Sequence, residues 1–398
     1  MTRAVCACLD ADVRRLIVAD EDFEAALEAR ELIARTGKSV DFLRVFRAST
    51  LAEAWAIVSK NGNRSQSRRA GAILRLPRPR RPRPEPLSIP EIRIPPSLGR
   101  SLLVSASGAH HLLFLGPKGT GKSTAGDLLI HLLPDPSPSE LLEGLLIREL
   151  TAASGQRSPD DRPPVVRVPP SIRPAGLIGR YLRDLYQPGA FCLADRGLLI
   201  ADELAEWPRD SREALREPLE RRSVTIHRQR GPLESPARFI LVATANLCPC
   251  GNYSPTRSKL TCRCSPRERD RYLSHLSGPV LDRIDLVSLI DVPSDSTQKN
   301  WPLLREFRDQ ALFTRSFLQS RLGLLPGELE PRKIEEVAGS VASSYPGYFD
   351  LVSLRGRHKL MRVALTLAAL EGKTEIEEHH LFEASLFRPE RWAPTSNA

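Results

Sequence analysis

The chain has 398 residues, 41% of them hydrophobic, which is enough for two or three domains with cores of their own. No run approaches the ~18 apolar residues of a membrane span, and the opening "MTRAVCACLDADVRRLIVADED" is broken by charge before a signal-peptide core can form, so the expectation is a cytoplasmic chain with no membrane partner. Lys plus Arg exceed Asp plus Glu by 58 to 48, and the resulting charge of +10 favours a polyanionic partner without identifying one.

In chain order, residues 1–61 read as a small βαβα piece: "RRLIVAD" as a strand, "EDFEAALEARELIART" as a helix, "VDFLRVF" as a strand and "TLAEAWAIVSK" as a helix. Four short elements bury little surface alone, so the piece is expected to dock on something or to be part of a larger domain. Residues 62–96 carry repeated Pro and Arg, which deny helix and sheet ladders and repel one another. They read as an extended linker, either a solvated spacer or a tether for an acidic partner. From residue 97 to 300 apolar strands alternate with Gly-rich turns and helices. "HLLFLG", "GLLIADE" and "RFILVATAN" are buried-strand runs that predict an α/β core on a parallel sheet. Residues 301–398 change to helical periodicity and predict a small all-helical lid domain.

The stretch "GPKGTGKST" (Gly116, Pro117, Lys118, Gly119, Thr120, Gly121, Lys122, Ser123, Thr124) follows a strand and opens a helix, the context that a phosphate-binding loop requires. Its backbone amides and helix N-terminus face phosphate, Lys122 reaches the β/γ oxygens, and Ser123 offers its hydroxyl to Mg²⁺. "GLLIADEL" ends a buried strand on Asp202 and Glu203, placing Asp202 at the Mg²⁺ shell and Glu203 beside the attacking water. A third strand ends on Asn246, placed to orient that water or the γ-phosphate. Arg283 lies between acids in "SGPVLDRIDLVSLIDVP" and Arg355 near a helix start, and an arginine reaching the γ-phosphate of a neighbouring subunit would make turnover depend on assembly.

The order of GPKGTGKS, PGAFCLADRGLLIADELAEW, EALREPLERRSVTIHRQRG, PARFILVATANLCPCGNY, YLSHLSGPVLDRIDL and VSLRGRHKLMRVALTLAALEG closely resembles the magnesium-chelatase-like AAA+ ATPases of the YifB/ComM type, over roughly residues 98–385. The resemblance implies a hexameric AAA+ ATPase using ATP and Mg²⁺, with Gly116 to Ser123 as Walker A, Asp202 and Glu203 as Walker B, Asn246 as sensor 1, Arg283 as arginine finger and Arg355 as sensor 2. The chain departs from that pattern twice. Residues 1–61 resemble only the end of the family's Lon-like N-terminal domain, and Lys118 stands where Pro is usual.

Four of the seven cysteines, Cys248, Cys250, Cys262 and Cys264, form two C-x-C pairs just after Asn246. They are read as a structural zinc site that fixes a loop lacking its own core, or as unliganded thiols. C-x-C is tighter than the usual knuckle spacing. Cys6, Cys8 and Cys192 read as structural or inert. Arg221, Arg222, Arg228 and Arg230 flank or lie in an expected hairpin. They read as phosphate contacts in a DNA channel or as charges that solvate the hairpin, which carries no aromatic stacking residue. "PPVVRVPPSIRPAGLIGRYLRD", with Arg167, Arg180 and Arg183, reads as a second pore-side insertion. Three functions compete: a DNA-remodelling motor, a protein-remodelling AAA+ chaperone closer to magnesium chelatase subunit I or MoxR proteins, and a module that holds ATP without cycling. Glu203, Asn246 and Arg283 count against the last.

Overall fold

The computed structural model describes residues 1–11, 13–49, 53–54, 89–148, 162–182, 185–226, 231–255, 262–276, 278–290, 301–350 and 352–388. The expected linker falls largely outside these, as do Arg183, Arg228 and Arg230. The chain divides into two compact units, one gathering Met1–Leu87, Asp135–Arg162 and Tyr186–Pro188, the other the remainder.

In the first unit, strands β1 (Arg15–Ala19) and β2 (Arg44–Ala48) pair in parallel, joined by the helix Phe23–Arg35. The helix turns Ala26, Ala29, Leu32 and Ile33 inward at the 3-4 spacing of an amphipathic face. Val5, Val18, Val40 and Leu43 complete the core, with Leu142 of the helix Pro138–Arg148 packed against it. The strand, helix and strand expected here are present, and most of residues 50–60, the expected fourth element, lies outside the described residues. The helix Thr2–Asp10 was not expected: its nine residues are too few for periodicity to separate helix from loop, and burial of Val5 in the unit core selects it.

The second unit is built on a five-stranded parallel sheet. Its strands are β3 (Leu112–Leu115), β4 (Val165–Val168), β5 (Leu198–Ala201), β8 (Ile240–Ala245) and β9 (Leu286–Leu289), in the spatial order β9-β3-β8-β5-β4. Side chains alternate between two cores. Leu112, Phe114, Leu198, Ile240, Val242 and Leu286 face one, and Leu113, Leu115, Leu199, Leu241, Ala243 and Val287 face the other. Burial on both faces explains why these strands read as unbroken apolar runs. The α/β class is therefore as expected, with an AAA+-type P-loop core and a C-terminal helical region. That region holds the helices Leu304–Leu322, Pro331–Ala338, Leu354–Leu370 and Glu378–Leu386. Leu354–Leu370 is buried through most of its length, charged in its first half and apolar from Val363 onward save for Thr366.

One expectation is corrected. Residues 165–168 are not a pore-side insertion but the edge strand β4, registered Val165 to Leu198. Pro163, Pro164, Pro169 and Pro170 bound it, and an edge strand tolerates flanking residues that cannot donate to a ladder. The expected hairpin is present as antiparallel β6 (Ser223–Ile226) and β7 (Leu233–Pro236), its tip lying outside the described residues. Among the described residues no helix is long and apolar enough to cross a membrane.

Candidate nucleotide and metal sites

Parallel strands with helical crossovers bring their C-terminal ends to one edge, where loops can converge. β3 delivers the chain into Gly116–Gly121, and the helix Lys122–Leu128 begins at once. Gly119 and Gly121 hold φ of +75° and +80°, left-handed values that an L side chain resists and that turn the loop backbone inward. Thr120 Oγ1 donates to the Pro117 carbonyl at 2.9 Å and tightens the turn. Lys122, 9% exposed, donates from Nζ to the carbonyls of Gly116 (2.9 Å) and Pro117 (2.6 Å) and to Asn246 Oδ1 (3.0 Å). Burial holds its ammonium below the ordinary lysine value, and the Glu203 carboxylate opposes that shift.

The end of β5 presents the acidic pair. Asp202 Oδ1 accepts from Ser123 Oγ at 3.0 Å and from Thr244 Oγ1 at 3.3 Å, while Oδ2 pairs with Arg167, which also reaches Asp127. Glu203 is exposed and sits at φ +51° and ψ +48°, an uncommon conformation for a non-glycine residue that turns the chain sharply off the strand. The Glu203 amide donating to Thr244 Oγ1 (3.0 Å) and the Trp207 indole donating to the Asp202 carbonyl (3.0 Å) pin that turn. Lys122, Ser123, Asp202 and Asn246 are thus linked across the ends of β3, β5 and β8.

Arg283 and Arg355 meet elsewhere. Arg283 pairs with Glu220 (Nε to Oε2, 3.1 Å) and donates to the Pro279 carbonyl at 2.6 Å, and Arg355 reaches the other Glu220 oxygen at 3.5 Å. The Arg283 hydrogen bond is the first cause holding the Glu220 carboxyl below its ordinary value. Among the described residues neither arginine makes polar contact with Gly116–Thr124. Arg221 is exposed, whereas Arg222 binds Glu328 at 3.1 Å and the Gly327 carbonyl at 3.3 Å.

The Sγ atoms of Cys248, Cys250, Cys262 and Cys264 all lie within 4.8 Å of one another. The Tyr253 amide donates to Cys248 Sγ at 3.2 Å. Burial pushes the Cys248 thiol up to about 12, and backbone donors led by Asn252 draw Cys250 down to about 6. Cys6 and Cys8 pack at the edge of the first unit's core, and Cys192 is buried in the helix Ala190–Leu193.

Residues 90–299 match the family model described as magnesium chelatase, subunit ChlI, and residues 349–388 match that of the subunit ChlI C-terminal region. The chain belongs to the magnesium chelatase ChlI family. Competence protein ComM of Haemophilus influenzae is 33% identical over 305 residues, 73% of this chain and 57% of that protein. YifB of Escherichia coli is 33% identical over 298 residues, 73% and 58%. The magnesium-chelatase 38 kDa subunit of Acidiphilium rubrum is 28% identical over 303 residues, 68% and 79%. This ChlI-family chain spans somewhat more than half the length of the ComM and YifB proteins it matches.

Thr244, Trp207 and Glu220 escaped the sequence reading, and Arg167 was read as pore-side. Thr244 was legible as the one polar residue in an apolar strand. The roles of Arg167 and Glu220 were not, because their partners are 35 and 63 residues away and only the fold brings them together, and that of Trp207 rests on the sharp turn at Glu203.

Proposed function

We propose that this chain is an ATP-hydrolysing motor that works as a ring, a hexamer as the family resemblance implies, and remodels DNA. The observation that carries the ATPase reading is the pair of contacts that ties the loop to two strand ends, Ser123 to Asp202 and Lys122 to Asn246, both 3.0 Å. The backbone of Gly116–Thr124 cradles phosphate oxygens and Lys122 donates to them. A hydroxyl and a carboxylate side by side are a hard oxygen set, so Ser123 and Asp202 would hold Mg²⁺, which neutralises charge on the β/γ oxygens when bound. Glu203, exposed at the end of β5, orients and deprotonates the attacking water, with Asn246 at the end of the adjacent strand β8. Arg283 and Arg355, gathered on Glu220 away from their own loop, are presented to the nucleotide of the next subunit.

DNA as the substrate is supported by the net charge of +10, by exposed Arg221 at the base of the β6-β7 hairpin, and by similarity to a competence protein. The 28% identity to a magnesium-chelatase subunit supports a second reading, remodelling of a protein partner. Fluorescence anisotropy with branched and single-stranded DNA at several salt concentrations decides between them. Arg221→Ala is expected to reduce the salt slope by about 1 and weaken binding alike across sequences. No salt-dependent binding by the parent chain favours the protein client.

The four clustered thiols fit a tetrahedral zinc, and the amide donating to sulfur is the kind of outer contact that orients a thiolate ligand. Zinc there would close a loop that has no core of its own.

A further inference from the structure

The cysteine loop touches the phosphate loop directly. The Lys118 amide donates to the Gly251 carbonyl at 2.7 Å, one residue beyond Cys250. Gly251 stands at φ +74° in a turn closed by its own amide on the Cys248 carbonyl at 3.0 Å. A Cβ there would stand 3.3 Å from the Lys118 side chain, so the two loops pack at the limit that glycine permits. A second link lies two residues before Cys248, where Asn246 accepts from Lys122 at 3.0 Å. The segment Asn246–Gly251 therefore holds both the residue that opens the bend of the phosphate loop and the lysine that closes it. Cys262 and Cys264 fasten the far side of the segment, and the helix Pro266–Leu273 starts immediately afterwards under a capping box of Ser265 and Glu268.

We propose that the four-cysteine metal site is the anchor of the nucleotide loop: zinc bound by Cys248, Cys250, Cys262 and Cys264 fixes the Gly251 carbonyl, and that carbonyl sets the position of Gly116–Ser123 for nucleotide through the Lys118 amide. The proposal rests on the zinc reading given above. Without the metal, the turn at Cys248–Gly251 loses its tie to Cys262 and Cys264 and keeps only hydrogen bonds and packing, and a loop of this kind gains much of its order from the ion. The phosphate loop then gives up part of its preorganisation, which costs affinity. Coupling between two sites is reciprocal, so nucleotide tightens zinc by the same factor by which zinc tightens nucleotide. Lys118 carries this link through its N–H, a group that proline lacks.

The test uses the full chain, elemental analysis, and a fluorescent non-hydrolysable ATP analogue titrated against zinc-loaded and chelator-stripped protein. Loaded protein is expected to hold about one zinc. Stripping is expected to weaken the analogue about fivefold or more, the worth of one net hydrogen bond and its attendant order. Competition with a chromogenic chelator is expected to show zinc tightened by the same factor when the analogue is present. Lys118→Pro, the residue usual at this place in the resembling proteins, keeps the four thiols. It is expected to hold zinc normally, to bind the analogue as weakly as stripped parent, and to lose sensitivity to stripping. If zinc is bound stoichiometrically yet loaded and stripped parent bind the analogue equally, the anchor is overturned while the metal site stands. If zinc neither copurifies nor binds on titration, the reading beneath the anchor fails and the anchor goes with it.

Discussion

Lys122→Ala separates two roles of one ammonium. In the structure its Nζ satisfies three acceptors, the Gly116 and Pro117 carbonyls and Asn246 Oδ1, in a site only 9% exposed. Truncation leaves those acceptors without a donor where little water can replace it, and an orphaned buried polar group costs about 1 to 3 kcal/mol. The variant is therefore expected to lose about 2 kcal/mol of stability in urea unfolding without nucleotide, the middle of that range. Nucleotide loses a charge-assisted contact on its β/γ oxygens, about 3 kcal/mol or roughly a hundredfold or more in Kd. Asn246→Ala removes one acceptor and leaves the ammonium in place, so its affinity for ATP is expected to stay within about threefold of the parent while hydrolysis falls. Titration of a fluorescent ATP analogue beside urea denaturation reads both quantities. A Kd for Lys122→Ala within about threefold of the parent would refute the phosphate role given to this lysine.

Glu203→Gln keeps the fold of the turn and the Ser123–Asp202 pair, so it is expected to bind ATP normally and to slow single-turnover hydrolysis by about 10² or more; near-normal turnover would remove Glu203 from the chemistry. Arg283→Ala is expected to bind ATP without hydrolysing it, and mixing it with Lys122→Ala should restore part of the activity at mixed interfaces, whereas no recovery at any mixing ratio argues against an arginine acting across subunits. Acid is expected to destabilise the chain in two windows. Burial lowers half-buried His111, whose Nδ1 accepts the Leu241 amide at 3.1 Å, to about 4, so stability present above the unfolded value of 6.5 is lost as pH falls toward 4. Burial alone would raise Asp285, but the His110 hydrogen bond at 3.0 Å and its charge hold it at about 2, so its contribution is lost as pH falls from about 4 toward 2. Urea midpoints measured from pH 7 to 2.5 check this, and Asp285→Asn should flatten the lower window while deepening the upper one, because the Asp285 charge opposes the lowering of His111; a parent midpoint that does not move between pH 7 and 4 contradicts the His111 assignment.

The residues that are contiguous in the chain were determined by the sequence itself. A phosphate loop is one strand, one turn and one helix start, so Gly116 to Thr124 could be read without a fold, and the acids at Asp202 and Glu203 were legible because a doubly buried strand has only its end free for charge. The β6-β7 hairpin and the two C-x-C pairs were likewise local patterns. Tertiary structure decided everything that depends on distant partners. Val165–Val168 became an edge strand because β5 offers it a ladder, which no count of its prolines could reveal. Arg283 and Arg355 look alike as isolated arginines, and only the packing of the helices around Glu220 brings them to one carboxylate. The bond between Lys118 and Gly251 spans 133 residues and is made by backbone atoms common to every residue except proline at the donor, so side-chain chemistry leaves no trace of it in the sequence.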